Sequence, residues 1–346
     1  MSARHPAGGD RRAEPLVALF PLGQPVSALL EVTDLSVGFR VPTPFWRPPA
    51  KVHAVQNVSF ALGLGEVLGV VGESGSGKTT LGRAILRLIE PSGGAIRLAG
   101  ERIDALPPGR MLPVRRRMQA VFQDPTASLN PAMTIGHAVG EGLAVHRIGD
   151  RADRPARVTA MLARVGLPHD AAGRRPQALS GGQRQRVGIA RALIVEPDLL
   201  IADEAVSALD VSVQAGIVNL LMDLRAEMAL SMLFIAHDLD LVRFVCDRVM
   251  VIYLGRVMEI GRTADVFAQP RHPYTRALID AVPRIGARAT ARQLLTGDPP
   301  SPLAPPSGCV FRTRCPHAAP ACAEAIPPLT GTSDGHATAC IRQHEL

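Results

Sequence analysis

No stretch of the 346 residues stays apolar for the roughly 18–20 positions that a membrane-spanning helix requires. A helical span is excluded on that ground, so any membrane association has to come through partners. The opening MSARHPAGGDRRAEPLVALFPLGQP has arginines followed by an apolar patch. That patch is short, broken by proline and without a convincing cleavage site, which argues against a secretion signal. Residues 1–28 are therefore expected to be a flexible leader, and the chain to lie on the cytoplasmic side. Cysteine is almost missing before residue 309: only Cys246 occurs there, among apolar neighbours, where a small buried hydrophobe is the ordinary reading. No internal repeat is visible, which excludes a tandem pair of domains.

What is present supports one large domain with an appendage. The apolar fraction of 47% is enough for a sizeable core and excludes wholesale disorder. A net charge of +7 suits an anionic ligand, a nucleic acid or an anionic membrane, but an Arg-rich composition gives the same balance without any such partner. From LLEVTDLSVGF onward, short β-rich runs alternate with helical ones, the pattern of an α/β fold. EVLGVVG (66–72) reads as a buried strand, and Leu81, Ala84, Ile85 and Leu88 fall on one face of the helix that follows. A section over about 126–180 reads as helical, and strands are expected again at 198–203, 231–236 and 248–253. After Phe267 the composition turns to Pro, Arg and Cys, which places a boundary near 268/269 and an extension over 269–346.

GESGSGKT fits the pattern G-x-x-x-x-G-K-[ST] at Gly72, Gly77, Lys78 and Thr79, between an expected strand and an expected helix. In that setting Gly72, Glu73, Ser74, Gly75, Ser76 and Gly77 can wrap their N–H groups around phosphates. Lys78 reaches the β- and γ-phosphates, and Thr79, followed by Thr80, can ligate Mg²⁺. The bland alternative is a Gly/Ser-rich turn matching by chance. In LLIADEAVSALD an apolar strand runs into Asp203 and Glu204. Behind a phosphate loop, Asp203 is the expected second Mg²⁺ ligand, and Glu204 can polarise a water for attack on a γ-phosphate. Without that loop the pair would read as solvated acids at a strand end.

LSGGQRQR (179–186) resembles the signature motif of the ABC ATPases, and the companion motifs stand in the family's order. Gln123 in VFQDP is similar to the Q-loop glutamine, SALD ending at Asp210 to the D-loop, and His237 in FIAHDLD to the switch histidine. The resemblance implies a P-loop NTPase ABC cassette over residues 29–268, a RecA-like core with a helical subdomain at about 126–180. It also implies a head-to-tail pair of cassettes binding ATP and Mg²⁺. Ser180, Gly181, Gly182 and Gln183 would serve ATP held by the partner. Gln123 would link Mg²⁺ and water to the transmembrane subunits, His237 would touch the γ-phosphate, and Glu204 would be the general base. An aromatic usually stacks on adenine in this family. Phe39 is the candidate, with Val52 and His53 as competitors because VPTPFWRPPAKVH intervenes; a strand-core role for Phe39 is the other reading. The family usually has proline where this chain has Ala205, so a looser turn with retained hydrolysis is expected.

VGESGSGKTTLGRAILRL, QDPTASLNPAMTIG, DRVMVIYLGRVMEIG and HPYTRALI resemble the oligopeptide/dipeptide importers, and within them the second, F-type ATPase. That implies a D-type ATPase as heterodimer partner, two permeases and an extracytoplasmic solute-binding protein, with the chain peripheral on the cytoplasmic face of the inner membrane. No nucleic-acid partner is expected. The same machinery importing nickel or another small solute is one alternative. A soluble ABC ATPase is another, although these usually carry coiled-coil insertions or tandem cassettes. Cys309, Cys315, Cys322 and Cys340 form C-x5-C-x6-C-x17-C in the extension. They could hold a [4Fe–4S] cluster, a structural Zn²⁺ or nothing; the resemblance favours iron–sulfur, while a reducing cytoplasm disfavours disulfides.

Overall fold

The computed structural model describes residues 28–41, 50–124, 128–207, 209–282, 297–331 and 335–345. The expected leader, apart from Ala28, and most of the insertion after Phe39 lie outside these residues. Four strands, β1 (Ala28–Val41), β2 (Ala50–Gly63), β4 (Gly93–Leu98) and β5 (Glu101–Arg102), form an antiparallel sheet in the order β2-β1-β4-β5. The larger sheet holds β3 (Val67–Val71), β6 (Met118–Val121), β7 (Leu199–Asp203), β8 (Ser231–Ile235), β9 (Arg248–Tyr253) and β10 (Arg256–Arg262). It also takes in β11 (Thr330–Gly331) and β12 (Ala337–Thr338), in the order β11-β12-β10-β9-β3-β8-β7-β6. Strands β9, β3, β8, β7 and β6 run parallel, and β10 turns back antiparallel on β9. The helices are α1 (Lys78–Ile85), α2 (Met111–Arg117), α3 (Ile135–Val145), α4 (Arg154–Arg164), α5 (Gly181–Leu193), α6 (Val211–Met228), α7 (Leu239–Val245), α8 (Thr263–Ala268) and α9 (Pro273–Asp280).

The central strands are apolar along their whole length because both faces are covered. Val67, Val71, Leu200, Ala202, Met232 and Phe234 join one core with α3–α6 and the tail residues Tyr274 and Phe311. Their alternates Leu68, Val70, Leu199, Ile201, Leu233 and Ile235 join a second core with α1 and the antiparallel sheet. The period of two along each strand thus divides its side chains between two cores. Cys246 is buried in the first core, as read from its neighbours, and burial pushes its thiol up.

Helix α1 is shorter than its apolar spacing suggested. Leu81, Ala84 and Ile85 are fully buried, whereas Leu88 is 55% exposed. Arg87 adopts a left-handed φ of 54°, its N–H bonds Ala84 O at 3.0 Å, and Leu88 N–H bonds Arg83 O at 2.9 Å. These are the two reverse bonds of a Schellman stop, here made without glycine.

The tail is built onto the central sheet. Strand β12 pairs with β10 at Glu259↔Thr338 and Ile260↔Ala337, and Ala339 N–H donates to Met258 O at 2.8 Å. Glu259 on β10 is fully buried, yet its carboxylate accepts from the N–H groups of Arg271 (2.7 Å) and His272 (3.0 Å) and meets His336 Nε2 at 2.6 Å. His272 in turn caps α9, its Nδ1 accepting from Tyr274 N–H at 3.0 Å, and burial lowers that imidazole's pKa to about 4.

Candidate nucleotide site

The loop from Gly72 to Gly77 joins β3 to α1 at the carboxyl ends of the parallel strands, where ligand sites of open α/β sheets form. Gly77, at φ 103°, precedes the first turn of α1, and a Cβ there would run into the carbonyl oxygen of Ala54. Only glycine gives the loop both this conformation and this close approach. Ser74 and Gly75 are exposed at its crest, while Ser76 is buried and its carbonyl accepts from Gly255 N–H at 2.8 Å. Lys78 is 5% exposed, and its Nζ donates to Gly72 O (2.7 Å) and Glu73 O (2.9 Å). Burial lowers its pKa, against the opposing pull of Glu204, Asp203 and Glu73. A desolvated ammonium of this kind gains by facing an anion. Thr80 follows on α1, half-buried.

Thr79 Oγ1 donates to Asp203 Oδ1 at 3.0 Å, so the loop's hydroxyl and the end of β7 meet. Asp203 is buried, and its pKa is raised by desolvation and by Glu204, against the Thr79 bond. A hydroxyl and a carboxylate so placed form a hard-oxygen pair suited to Mg²⁺. Glu204 takes a left-handed φ of 48°, and its N–H donates to Ile235 O at 2.9 Å on β8. Such a conformation in a non-glycine residue costs about 1–3 kcal/mol. The two adjacent acids engage different partners: Asp203 the loop, Glu204 the region of His237, whose Nδ1 lies 3.8 Å from Glu204 Oε1. Asp238 holds that histidine just ahead of α7, its Oδ1 capping the N–H groups of Asp240 (2.9 Å) and Leu241 (3.2 Å).

Ala205 is buried, and the turn after Glu204 closes without proline. Ser207 bonds Glu204 O through both its N–H (3.2 Å) and its Oγ (3.0 Å). Those two bonds hold the turn around Ala205.

Gln123 follows β6 and is exposed. Ser180 is the N-cap of α5 and forms a complete capping box with Gln183: Ser180 Oγ accepts from Gln183 N–H at 3.3 Å and Gln183 Oε1 from Ser180 N–H at 3.0 Å. Gly181 and Gly182 open that helix, and an added Cβ on Gly181 would touch Leu209, one residue before the exposed Asp210 at the start of α6. The start of the signature helix therefore lies beside Leu209 of the SALD segment, whose Ser207 bonds Glu204 O, and the capping bonds stay within α5. Phe39 is 41% exposed, which removes the strand-core reading, and it pairs across the hairpin with Val52 while His53 pairs with Gly38. All three adenine-side candidates share one end of that hairpin.

The four tail thiols Cys309, Cys315, Cys322 and Cys340 line one pocket with Phe311 and His272. Burial pushes Cys309 up to about 11, and burial likewise raises Cys315 and Cys340, with the neighbouring thiols adding to each. Among the described residues, no three His, Cys, Asp or Glu side chains converge tightly enough to hold a single metal ion. The four thiols expected to hold a metal centre thus share a pocket, with no preformed ion site among the described residues. Two contacts near the loop had no sequence signal: Tyr274 Oη accepts from Glu73 N–H at 2.9 Å, and Arg314 grips the Glu73 carboxylate at 2.6 and 3.0 Å.

The ABC transporter family model matches residues 55–207, and the model of the oligopeptide/dipeptide transporter C-terminal region matches residues 258–322. A putative peptide import ATP-binding protein of Brucella ovis is 55% identical over 85% of this chain and 93% of its own. The oligopeptide transport ATP-binding protein OppF of Escherichia coli is 49% identical over 92% of this chain and 97% of its own. Among solved structures, the cassette MJ0796, in a dimeric post-hydrolysis state bound to ADP and Pi, superposes with a TM-score of 0.61 at 27% identity, covering 68% of this chain and 98% of its own. The cbiO1 protein of Clostridium perfringens, part of the transporter complex cbiONQ, gives 0.60 at 31% identity over 70% and 92%. Among the described residues no helix is long and apolar enough to cross a membrane. With the phosphate loop, the paired acids and the capped signature helix in place, the chain belongs to the ABC transporter ATPases, in the group that carries the oligopeptide/dipeptide transporter C-terminal region.

Proposed function

We propose that the chain is the F-type ATPase of a di-/oligopeptide importer. It works head to tail with a D-type cassette under two permeases, on the cytoplasmic face of the inner membrane, and an extracytoplasmic binding protein delivers the solute. The observation that carries the enzymatic part is the convergence of Lys78, the Thr79–Asp203 pair and the Glu204–His237 pair at the ends of β3, β7 and β8. The peptide part is supported by the names of relatives and by the C-terminal region.

In this reading the loop N–H groups and Lys78 take the β- and γ-phosphates, and one of Phe39, Val52 and His53 lies under adenine. Thr79 and Asp203, with Gln123, would hold Mg²⁺, which neutralises phosphate charge when bound. Glu204 accepts a proton as the water oxygen bonds to the γ-phosphorus. The bond from that phosphorus to the β-phosphate oxygen breaks, giving ADP and phosphate. His237 hydrogen-bonds the γ-phosphate, and Ser180, Gly181 and Gly182 cover the partner's ATP while Asp210 lies at the dimer contact. The complex of all five subunit types in proteoliposomes is expected to take up labelled dipeptide in an ATP-dependent manner. ATP-driven uptake of Ni²⁺ with none of peptide would overturn the cargo and keep the engine.

We further propose that the four tail thiolates hold a [4Fe–4S] cluster. What supports the reading is that the four thiols line one pocket. The group would add crosslinks to a segment with little regular structure. Anaerobically purified protein is expected to show broad visible absorbance that Cys315→Ser abolishes. A colourless protein carrying stoichiometric zinc would refute the assignment.

A further inference from the structure

We propose that Arg314 and Tyr274, both in the tail, are positioning residues for ATP, acting through Glu73 of the phosphate loop. The inference rests on the loop's being the ATP site and is independent of the cargo. A carboxylate in a loop that wraps a triphosphate is an electrostatic liability, because like charges at short range repel. Arg314 answers it with two N–H···O bonds of 2.6 and 3.0 Å from a side chain only 5% exposed. A planar guanidinium facing a carboxylate in this way fixes direction as well as charge.

Glu73 is also fixed through its main chain. Its N–H donates to Tyr274 Oη, and its carbonyl accepts from Lys78 Nζ, the cation aimed at the phosphates. One residue therefore separates the phosphate-binding lysine from the tail. The far side of the clamp is rigid: Tyr253 and Tyr274, the chain's two tyrosines, pack with centroids 4.7 Å apart, and Phe311 meets them at 5.4 and 5.2 Å. Arg314 also donates to Tyr253 Oη at 3.3 Å. A mere docking contact would hold the tail on the cassette. A contact that cancels a charge inside the phosphate loop sets the affinity of that loop.

The two roles separate in a charge-deletion cycle on the full chain, reading MgATP affinity with a fluorescent ATP analogue and ATPase kinetics in the assembled complex. Arg314→Gln is expected to weaken ATP binding roughly tenfold, mostly in KM, with the loss shrinking as salt rises. Removing the stranded acid as well, in Glu73→Gln/Arg314→Gln, is expected to return affinity to within about threefold of wild type. Tyr274→Phe is expected to raise KM about threefold through loss of the acceptor for Glu73 N–H. Wild-type affinity in folded Arg314→Gln, or a double variant no better than Arg314→Gln, would overturn the proposal in favour of docking alone. If Arg314→Gln does not fold, the neutral double variant decides: a loss of tenfold or more in ATP affinity refutes the charge argument. Failure of wild type itself to bind ATP, with Lys78→Ala no different, would instead refute the assignment of the loop.

Discussion

Glu204→Gln is expected to lower ATP turnover by about 10²- to 10⁴-fold, the usual worth of a positioned general base. Glutamine keeps the length and planarity of the side chain but cannot take the water's proton. The backbone at 204 should survive the change. Its left-handed turn is held by Ile235 O and by the two bonds from Ser207, all of which involve main-chain atoms of Glu204. Binding of ATP should therefore persist while its cleavage stops, and cassette pairs should accumulate in the ATP-bound state. Steady-state turnover and size-exclusion chromatography with ATP together check this. Turnover within a few-fold of wild type, with uptake intact, would remove Glu204 from the role of base.

Asp203→Asn is expected to produce opposite changes in stability and activity. In the folded chain the Asp203 carboxyl is raised above its ordinary range, chiefly by desolvation and then by Glu204. A raised folded pKa means the native state prefers the protonated acid. The stability this group contributes is complete below the unfolded pKa and disappears as pH rises through the raised value. At neutral pH the ionised side chain is therefore a burden to the free protein, and Asn, which still accepts from Thr79, relieves it. The melting temperature of nucleotide-free protein should rise by about 1–4 °C at pH 7, and the gain should vanish in acid. Turnover with Mg²⁺ should fall by at least about 10²-fold, since a ligand to the phosphate-neutralising ion is gone. Thermal melts across pH beside Mg²⁺ titrations of activity test both halves. An Asn variant less stable than wild type at pH 7 would contradict the electrostatic account.

The features legible in the sequence were those whose physics is local. The phosphate loop and the acids ending β7 each lie within a few consecutive residues, so spacing alone exposes them, whereas the Ser180/Gln183 capping box emerged only in the fold. The strands expected at 198–203, 231–236 and 248–253 correspond to β7, β8 and β9 for the same reason: each is a short apolar run bounded by polar residues. Leu88 fell off its expected face because Arg87 turns left-handed, a conformation that nothing in the identity of arginine announces. Arg314 and Glu73 are 241 positions apart, and neither belongs to a pattern that requires the other. The thiols were legible as a group, but their convergence on one pocket depends on where the chain folds back, as in the bond from Cys309 N–H to Cys322 O.

The pairing of β12 with β10 bears on how a shortened protein would behave. Strand β10 is the outermost long strand of the central sheet, and β11 and β12 add only two residues each beyond it. Without the tail, the backbone N–H and C=O groups of β10 would form an open edge, the surface on which sheets of separate molecules join. Its Glu259 would also lose His336. Cutting the chain back to its cassette would thus uncover the stretch of β10 at Met258–Ile260 as a template for intermolecular strand addition.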